Sequence, residues 1–196
     1  MNLIKISILY GAMLLLGLIS CREQNLNPPI NEVPRQVELN KPLILKDEKS
    51  YKMHAVAEFE AKTKLLGIEK YYIGKETEFS SYDFLVGWKK MSDENFLSKV
   101  SFSQKRRSYS WSSSDSEINS NKTEIKNQTD NISVIPSNKQ IEKDLSLAKI
   151  GDNIFLKGFL VNIKKENGWK WETYLDRSEN EENSSKILWV TEVVIF

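Results

Sequence analysis

A hairpin can be read directly from residues 154–175, and it constrains the fold more than any other stretch of the chain. An apolar run from Ile154 to Lys164 is followed by Asn167-Gly168, and Trp169 to Leu175 then returns. Asn-Gly favours a two-residue hairpin turn because both residues tolerate positive φ. Such a loop would pair Lys164 with Trp171 and would place Trp169 and Trp171 on one face. The chain is therefore expected to contain an antiparallel sheet.

A second strand follows from strict alternation. Ala55, Ala57, Phe59, Ala61 and Thr63 share one face, and the residues between them are mostly polar. Period-two alternation of this kind is typical of a strand with one buried side.

Other segments give shorter signals, and together they define the expected fold class. Further strands are predicted at 43–45, 101–111 (with a bulge or turn near 104–106), 132–135 and 187–196, and short helices at 93–99 and 137–148. Hairpin-linked strands outnumber the helices. The expected class is therefore mainly β (α+β), an antiparallel sheet curled into a partly open barrel with one or two short helices.

The N-terminal residues predict export. Met1 to Ser20 carries one charge, Lys5, before an apolar run that ends at Ile19, which is the pattern of a secretory signal peptide. Leu18-Ile19-Ser20-Cys21 resembles the lipobox of bacterial lipoproteins, and the resemblance implies a lipid on Cys21 and cleavage before it. A transmembrane anchor or an ordinary secretory signal is the alternative, but the run is shorter than the ~20 residues that a spanning helix needs.

Three regions follow from this pattern: a signal peptide over 1–20, a lipidated flexible tether over 21–50, and a single β-rich domain over 51–196. Four of the five prolines fall in the tether. A stretch at about 112–131, rich in Ser, Asn and charge, predicts a disordered insertion. The expected location is the cell envelope, since several acyl chains make attachment stable. Arg22 after the cysteine favours the outer membrane, by resemblance to enteric lipoproteins.

Composition excludes several kinds of chemistry. The chain has 28 Lys plus Arg against 27 Asp plus Glu, so no global charge indicates nucleic acid as a partner. Cys21 is the only cysteine, which removes disulfides, a cysteine nucleophile and cysteine-based zinc sites. With a single histidine, His54, clustered imidazole ligands are absent too. No cofactor and no metal are expected.

The candidate ligand-binding residues are Arg106, Arg107, Tyr109 and Trp111. Basic side chains beside aromatic faces suit a polyanion. The alternative is that Tyr109 and Trp111 face the core and the charges sit on a solvated turn.

Two other groups of residues are candidates for a site. Trp88, Trp169 and Trp171 could line a sugar- or peptide-binding groove, or could belong to the core. His54 with Glu58 or Glu60 could form an acid–base pair, because residues an even number apart share a strand face. A hydrolase would require a deep pocket that gathers several acidic side chains around His54, and no catalytic residue is assigned.

Several short motifs resemble an uncharacterised family of bacterial envelope proteins for which no activity is established. The resemblance covers roughly Ala57 to the C-terminus and implies the domain boundary without a function. The motifs are Asp83–Trp88, Met91–Asp93, Ser101–Gln104, Ile135-Pro136, Gly151-Asp152, Gly158–Val161 and Gly168–Trp171.

The expected function is that of a membrane-anchored lipoprotein with a non-catalytic binding or structural domain. Its expected partners are the membrane, through the lipid on Cys21, and a protein or polymer of the envelope. A polyanion- or carbohydrate-binding barrel and a hydrolase are the two alternatives.

Overall fold

The computed structural model describes residues 28–175 and 185–196. The predicted signal peptide, Cys21 and the acidic stretch 176–184 lie outside the described residues. No helix among those residues is long and apolar enough to span a bilayer. The strands are β1 (Arg35–Asp47), β2 (Tyr51–Lys70), β3 (Tyr82–Gly87), β4 (Ser101–Lys105), β5 (Ser108–Ser112), β6 (Thr129–Pro136), β7 (Asn153–Lys165), β8 (Lys170–Glu172) and β9 (Lys186–Ile195); the helices are α1 (Glu94–Leu97), α2 (Ser116–Ser120), α3 (Lys122–Asn127) and α4 (Lys139–Leu147).

Five strands pair in a ring. β2 pairs with β3, β3 with β6, β6 with β9, β9 with β7, and β7 again with β2. β1 and β8 extend the sheet at its two ends, and β4 with β5 forms a separate hairpin. The mainly β class is confirmed, and the ring is not closed into a complete barrel.

The structure differs from the prediction in two details. The sheet is mixed, because β6 and β9 run parallel. The described residues contain four α-helices, where one or two were expected. The two helices that were not predicted, α2 and α3, have five and six residues, too short for a helical hydrophobic period to show in the sequence.

The core lies inside the ring. The predicted alternation in β2 is confirmed, since Ala57, Phe59 and Ala61 are buried. They pack against inward side chains of the other ring strands, and α4 covers the core with Ile141 and Leu145. The other ring residues of this cluster are Leu65, Phe84, Val86, Ile132, Val134, Ile154, Leu156, Leu160, Leu188 and Val190.

The region predicted as a flexible tether contains a strand. β1 pairs with β2, and before it Ile30 is 4% exposed, with its N–H bonded to Ser92 Oγ (2.7 Å). The strand predicted at 43–45 is part of β1, whereas the flexible tether predicted around it is wrong at Ile30 and over the rest of β1. An edge strand tolerates Pro42 at an irregular position and needs few apolar side chains, so its composition resembles that of a linker.

The predicted disordered insertion at 112–131 is helical over much of its length. α2 buries Ile118 and α3 buries Ile125, and both pack in a cluster with Met91. Asp115 caps α2 by accepting from the N–H groups of Glu117 and Ile118. Two buried isoleucines and a cap order a segment whose composition is otherwise polar.

The hairpin signature is confirmed, but its register differs from the prediction. The loop has three residues, because the Lys165 N–H bonds to the Trp169 carbonyl oxygen (2.9 Å), and Gly168 takes a φ of 85°. Lys164 therefore lies opposite Lys170. A three-residue loop that ends in a left-handed glycine is a common alternative to the two-residue turn.

Gly158 on β7 lies against the backbone of β9, and we expect Gly158→Ala to loosen that contact. A Cβ there would lie 1.9 Å from the Trp189 carbonyl oxygen, so the strands must move apart. The expected loss is about 2–3 kcal/mol of unfolding free energy, measured in urea. Gly168→Ala is the control; a Cβ there meets nothing within 4 Å, so only its positive φ is strained, at about 1 kcal/mol. A loss at Gly158 no larger than the loss at Gly168 would contradict this account.

Candidate functional site

Two of the predicted ligand-binding residues form the turn of the β4–β5 hairpin. Arg106 and Arg107 both have positive φ, 54° and 64°. A tight hairpin turn needs this geometry, and glycine or asparagine usually supplies it. A residue with a Cβ costs about 1–2 kcal/mol at such a position. The contacts of Arg107 offset this strain.

Arg107 forms an ion pair with a fully buried carboxylate on β3. Its Nη1 donates to Asp83 Oδ1 (2.7 Å), and its Nη2 donates to the Ser80 carbonyl oxygen (2.7 Å). The same carboxylate accepts from Asn131 Nδ2 (3.0 Å) and from the Ser133 hydroxyl (2.7 Å), both on β6. Every donor that the buried charge needs is therefore supplied from within the domain.

Aromatic rings enclose the same guanidinium. Its Cζ lies 3.9 Å from the Tyr71 ring centroid and 5.4 Å from that of Trp171. The Tyr71 hydroxyl oxygen accepts from the Arg107 backbone N–H (2.9 Å). Burial is the main reason that the pKa of the Tyr71 phenol rises to about 12.

The four predicted residues do not share one exposed surface. Only Arg106 is exposed. The Tyr109 hydroxyl lies 2.6 Å from Thr129 Oγ1, and Trp111 packs against the cluster around Met91. Arg107 and Tyr109 therefore attach the β4–β5 hairpin to β3 and β6, and Trp111 packs the hairpin against the cluster around Met91. This arrangement matches the alternative in which Tyr109 and Trp111 face inward.

A row of five half-buried rings crosses the adjacent surface; we call it the aromatic strip. It consists of Tyr51, Phe79, Trp169, Trp171 and Tyr71. Ring centroids are 4.9 Å apart for Tyr51 and Phe79, 6.0 Å for Phe79 and Trp169, and 6.4 Å for the two tryptophans. Arg107 lies between Trp171 and Tyr71.

Both cations in the aromatic strip are neutralised by carboxylates. Arg107 pairs with Asp83, and Lys165 pairs with Glu78. The Lys165 ammonium also lies 5.3 Å from the Phe79 ring centroid and 5.5 Å from that of Trp169. The strip therefore presents aromatic surface with balanced charge.

The sequence had paired Trp169 and Trp171 on one face correctly, but it grouped them with the wrong third residue. Trp88 is 1% exposed and belongs to the core. The strip residues that sequence reasoning missed are Tyr51, Tyr71 and Phe79. Phe79 is the one aromatic residue among the otherwise polar residues 74–81 that connect β2 to β3. This local signal could have identified the connection as part of a site.

His54 lies in a shallow cleft on the other side of the sheet. The cleft has a volume of about 310 Å³ and is lined by Pro42, His54, Val56, Asn162, Lys164, Lys170 and Glu172. Glu58 and Glu60, the two proposed partners of His54, contact Arg35 instead. Glu172 is the one carboxylate in the lining, so the cleft does not provide the acidic pocket that a hydrolase would require.

Comparisons with protein-family models, with curated proteins and with solved structures find no match to this chain. Membership of the uncharacterised envelope family stays a prediction that depends on the short motifs alone.

We expect Asp83→Asn to destabilise the domain by about 3–5 kcal/mol, because Arg107 would keep its charge in a mostly buried site without a counter-ion. Urea unfolding followed by tryptophan fluorescence measures this loss. Adding Arg107→Leu to Asp83→Asn should recover part of it.

Arg106→Gln is the matched control, since it changes the neighbouring exposed arginine of the same turn. Its effect should stay within about 0.5 kcal/mol. If Asp83→Asn and Arg106→Gln had similar effects, Arg107 would not be a structural residue.

Proposed function

We propose that this protein is a lipoprotein of the bacterial cell envelope, attached to the membrane through a lipid on Cys21. Its domain acts as a non-catalytic module that binds a neutral stretch of an envelope glycan along the aromatic strip. The observation that carries the binding proposal is the strip itself, a row of half-buried rings that Arg107 joins between Trp171 and Tyr71 and whose two cations are already paired.

The charge balance of the strip favours a saccharide over a polyanion. A polyanion needs cations that are free to contact its charges, whereas Arg107 and Lys165 are engaged by Asp83 and Glu78. The apolar face of a sugar ring can stack on an aromatic ring without a charged partner. The strip therefore suits a polymer of sugar rings.

The architecture supports the same proposal by analogy. Partly open five-stranded barrels of the OB-fold type bind oligonucleotides and oligosaccharides with a strand face and the neighbouring loops. In this chain the strip also combines a strand, β8, with the loop between β2 and β3 that carries Phe79. Because one architecture hosts many functions, the rings themselves remain the main argument.

The glycan proposal predicts that Trp169→Ala weakens binding to purified peptidoglycan by about tenfold or more, which corresponds to ~1.4 kcal/mol. Trp169→Tyr should keep most of the affinity because it keeps an aromatic face. Co-sedimentation with the insoluble polymer measures the bound fraction, and Lys143→Ala on α4 is the control.

The response to salt distinguishes the two ligand classes. Binding through ring stacking should change little between about 50 and 200 mM salt, whereas polyanion binding falls steeply over this range. A steep fall with salt, or equal binding by the Trp169→Ala variant, would contradict the glycan proposal.

The anchor is tested separately. Cys21→Ser should move the protein from the detergent phase to the aqueous phase in a two-phase detergent extraction, because the acyl chains supply the attachment. Mass spectrometry of the wild-type N-terminus should show acylated Cys21 as the first residue. Retention of the serine variant in the detergent phase would contradict lipid anchoring at this position.

A further inference from the structure

Three lysines from adjacent strands lie side by side on the face of the sheet that carries the His54 cleft. Lys52 on β2 lies opposite Lys164 on β7, and Lys164 lies opposite Lys170 on β8. Directly opposed like charges destabilise a sheet. The chain therefore places an unfavourable row of positive charge here.

Only one end of the row is compensated. Lys52 Nζ lies 3.2 Å from Asp47 Oδ1 on β1. Lys164 and Lys170 form no ion pair with any residue in the described ranges 28–175 and 185–196. Glu172 lies next to them in the cleft but comes within ion-pair distance of neither. Two ammonium groups thus face one cleft without a counter-ion from the described part of the chain.

The next row of residues adds side-chain hydrogen-bond donors. His54 lies opposite Asn162, and Asn162 lies opposite Glu172. The Asn162 side-chain oxygen accepts from the Thr173 backbone N–H (2.9 Å), which orients the amide. Its two N–H donors have no partner among the residues that the structure describes. The amide therefore adds hydrogen-bond donors beside the two lysines.

We propose that this cleft binds a phosphate group, held by the ammonium groups of Lys164 and Lys170 together with the side-chain donors of Asn162 and His54. A phosphate carries up to two negative charges and offers several acceptor oxygens to converging donors. Two uncompensated cations match this charge. Glu172 weakens the site by repulsion and limits its affinity.

The phosphate site is separate from the aromatic strip. Residues 169–172 alternate between tryptophans (Trp169, Trp171) and charged residues (Lys170, Glu172). Because successive side chains of a strand point to opposite faces, the tryptophans lie on one face of β8 and the charged residues on the other. Trp169 and Trp171 pack with other aromatic side chains of the aromatic strip, whereas Lys170 and Glu172 line the cleft. Changes in the cleft can thus be tested without changing the strip.

The proposal is tested by titrating the full chain, in neutral detergent, with inorganic phosphate and measuring the heat of binding by calorimetry. Lys164→Gln and Lys170→Gln should each weaken binding by about tenfold, since each removes a charge-assisted hydrogen bond. Glu172→Gln should strengthen binding several-fold. Lys143→Gln on α4 removes the same charge elsewhere and should leave binding unchanged.

The gain expected for Glu172→Gln keeps the test independent of any loss of folding. Absence of saturable binding at about 10 mM phosphate would overturn the proposal, since ordinary weak sites bind in the millimolar range. Equal loss in the Lys143→Gln control, or weaker binding by Glu172→Gln, would also overturn it.

Two further arms identify the source of the phosphate. Glycerol phosphate represents a soluble monoester, and vesicles of phosphatidic acid in phosphatidylcholine represent a lipid headgroup, with pure phosphatidylcholine as the blank. Competition by glycerol phosphate alone supports a soluble ligand. Additional binding to the phosphatidic acid vesicles that is lost in Lys164→Gln supports the lipid surface.

Discussion

The curvature of β2 is the constraint on which the rest of the structure depends. A straight strand of 20 residues would span about 66 Å. Yet Tyr51, at its start, and Tyr71, just past its end, belong to one row of ring contacts. The strand must therefore curl, and irregular pairing beside Val56 and Leu66 accompanies that curl. Because β2 pairs with β1, β3 and β7, its curl sets the positions of all three.

The strip and the cleft follow from the same arrangement. Tyr51 begins β2 and Tyr71 directly follows it, and the β7–β8 hairpin supplies the two tryptophans between them. Arg107 joins the last ring to the row, and Asp83 and the Ser80 carbonyl oxygen hold its guanidinium in place. The cleft lies on the opposite face of β8, where Lys164 and Lys170 have no such partner in the described residues. The charges on one face are thus satisfied internally, whereas two on the other remain available for a ligand.

The candidate site could be predicted only in part. Trp169 and Trp171 share a face because they are two residues apart in a strand, which is a local property. Tyr51, Tyr71 and Phe79 join them through the curl of β2, which no local pattern encodes. Asp83 did carry a signal, since a carboxylate at the start of the apolar run Asp83–Gly87 requires a buried partner. That signal did not identify Arg107, which is distant in sequence.

The sequence by itself determined the mainly β class, the inward face of β2 and the absence of disulfide bonds within the chain. These properties depend on residue types and on a two-residue period, both of which can be read without knowing the fold. Tertiary structure decided that Arg107 is an internal counter-ion, that Trp88 is core while Trp169 is partly exposed, and that Lys164 lies opposite Lys170. Burial and charge pairing depend on contacts between distant segments, and a single added residue in the 166–168 loop changed which side chains lie opposite each other.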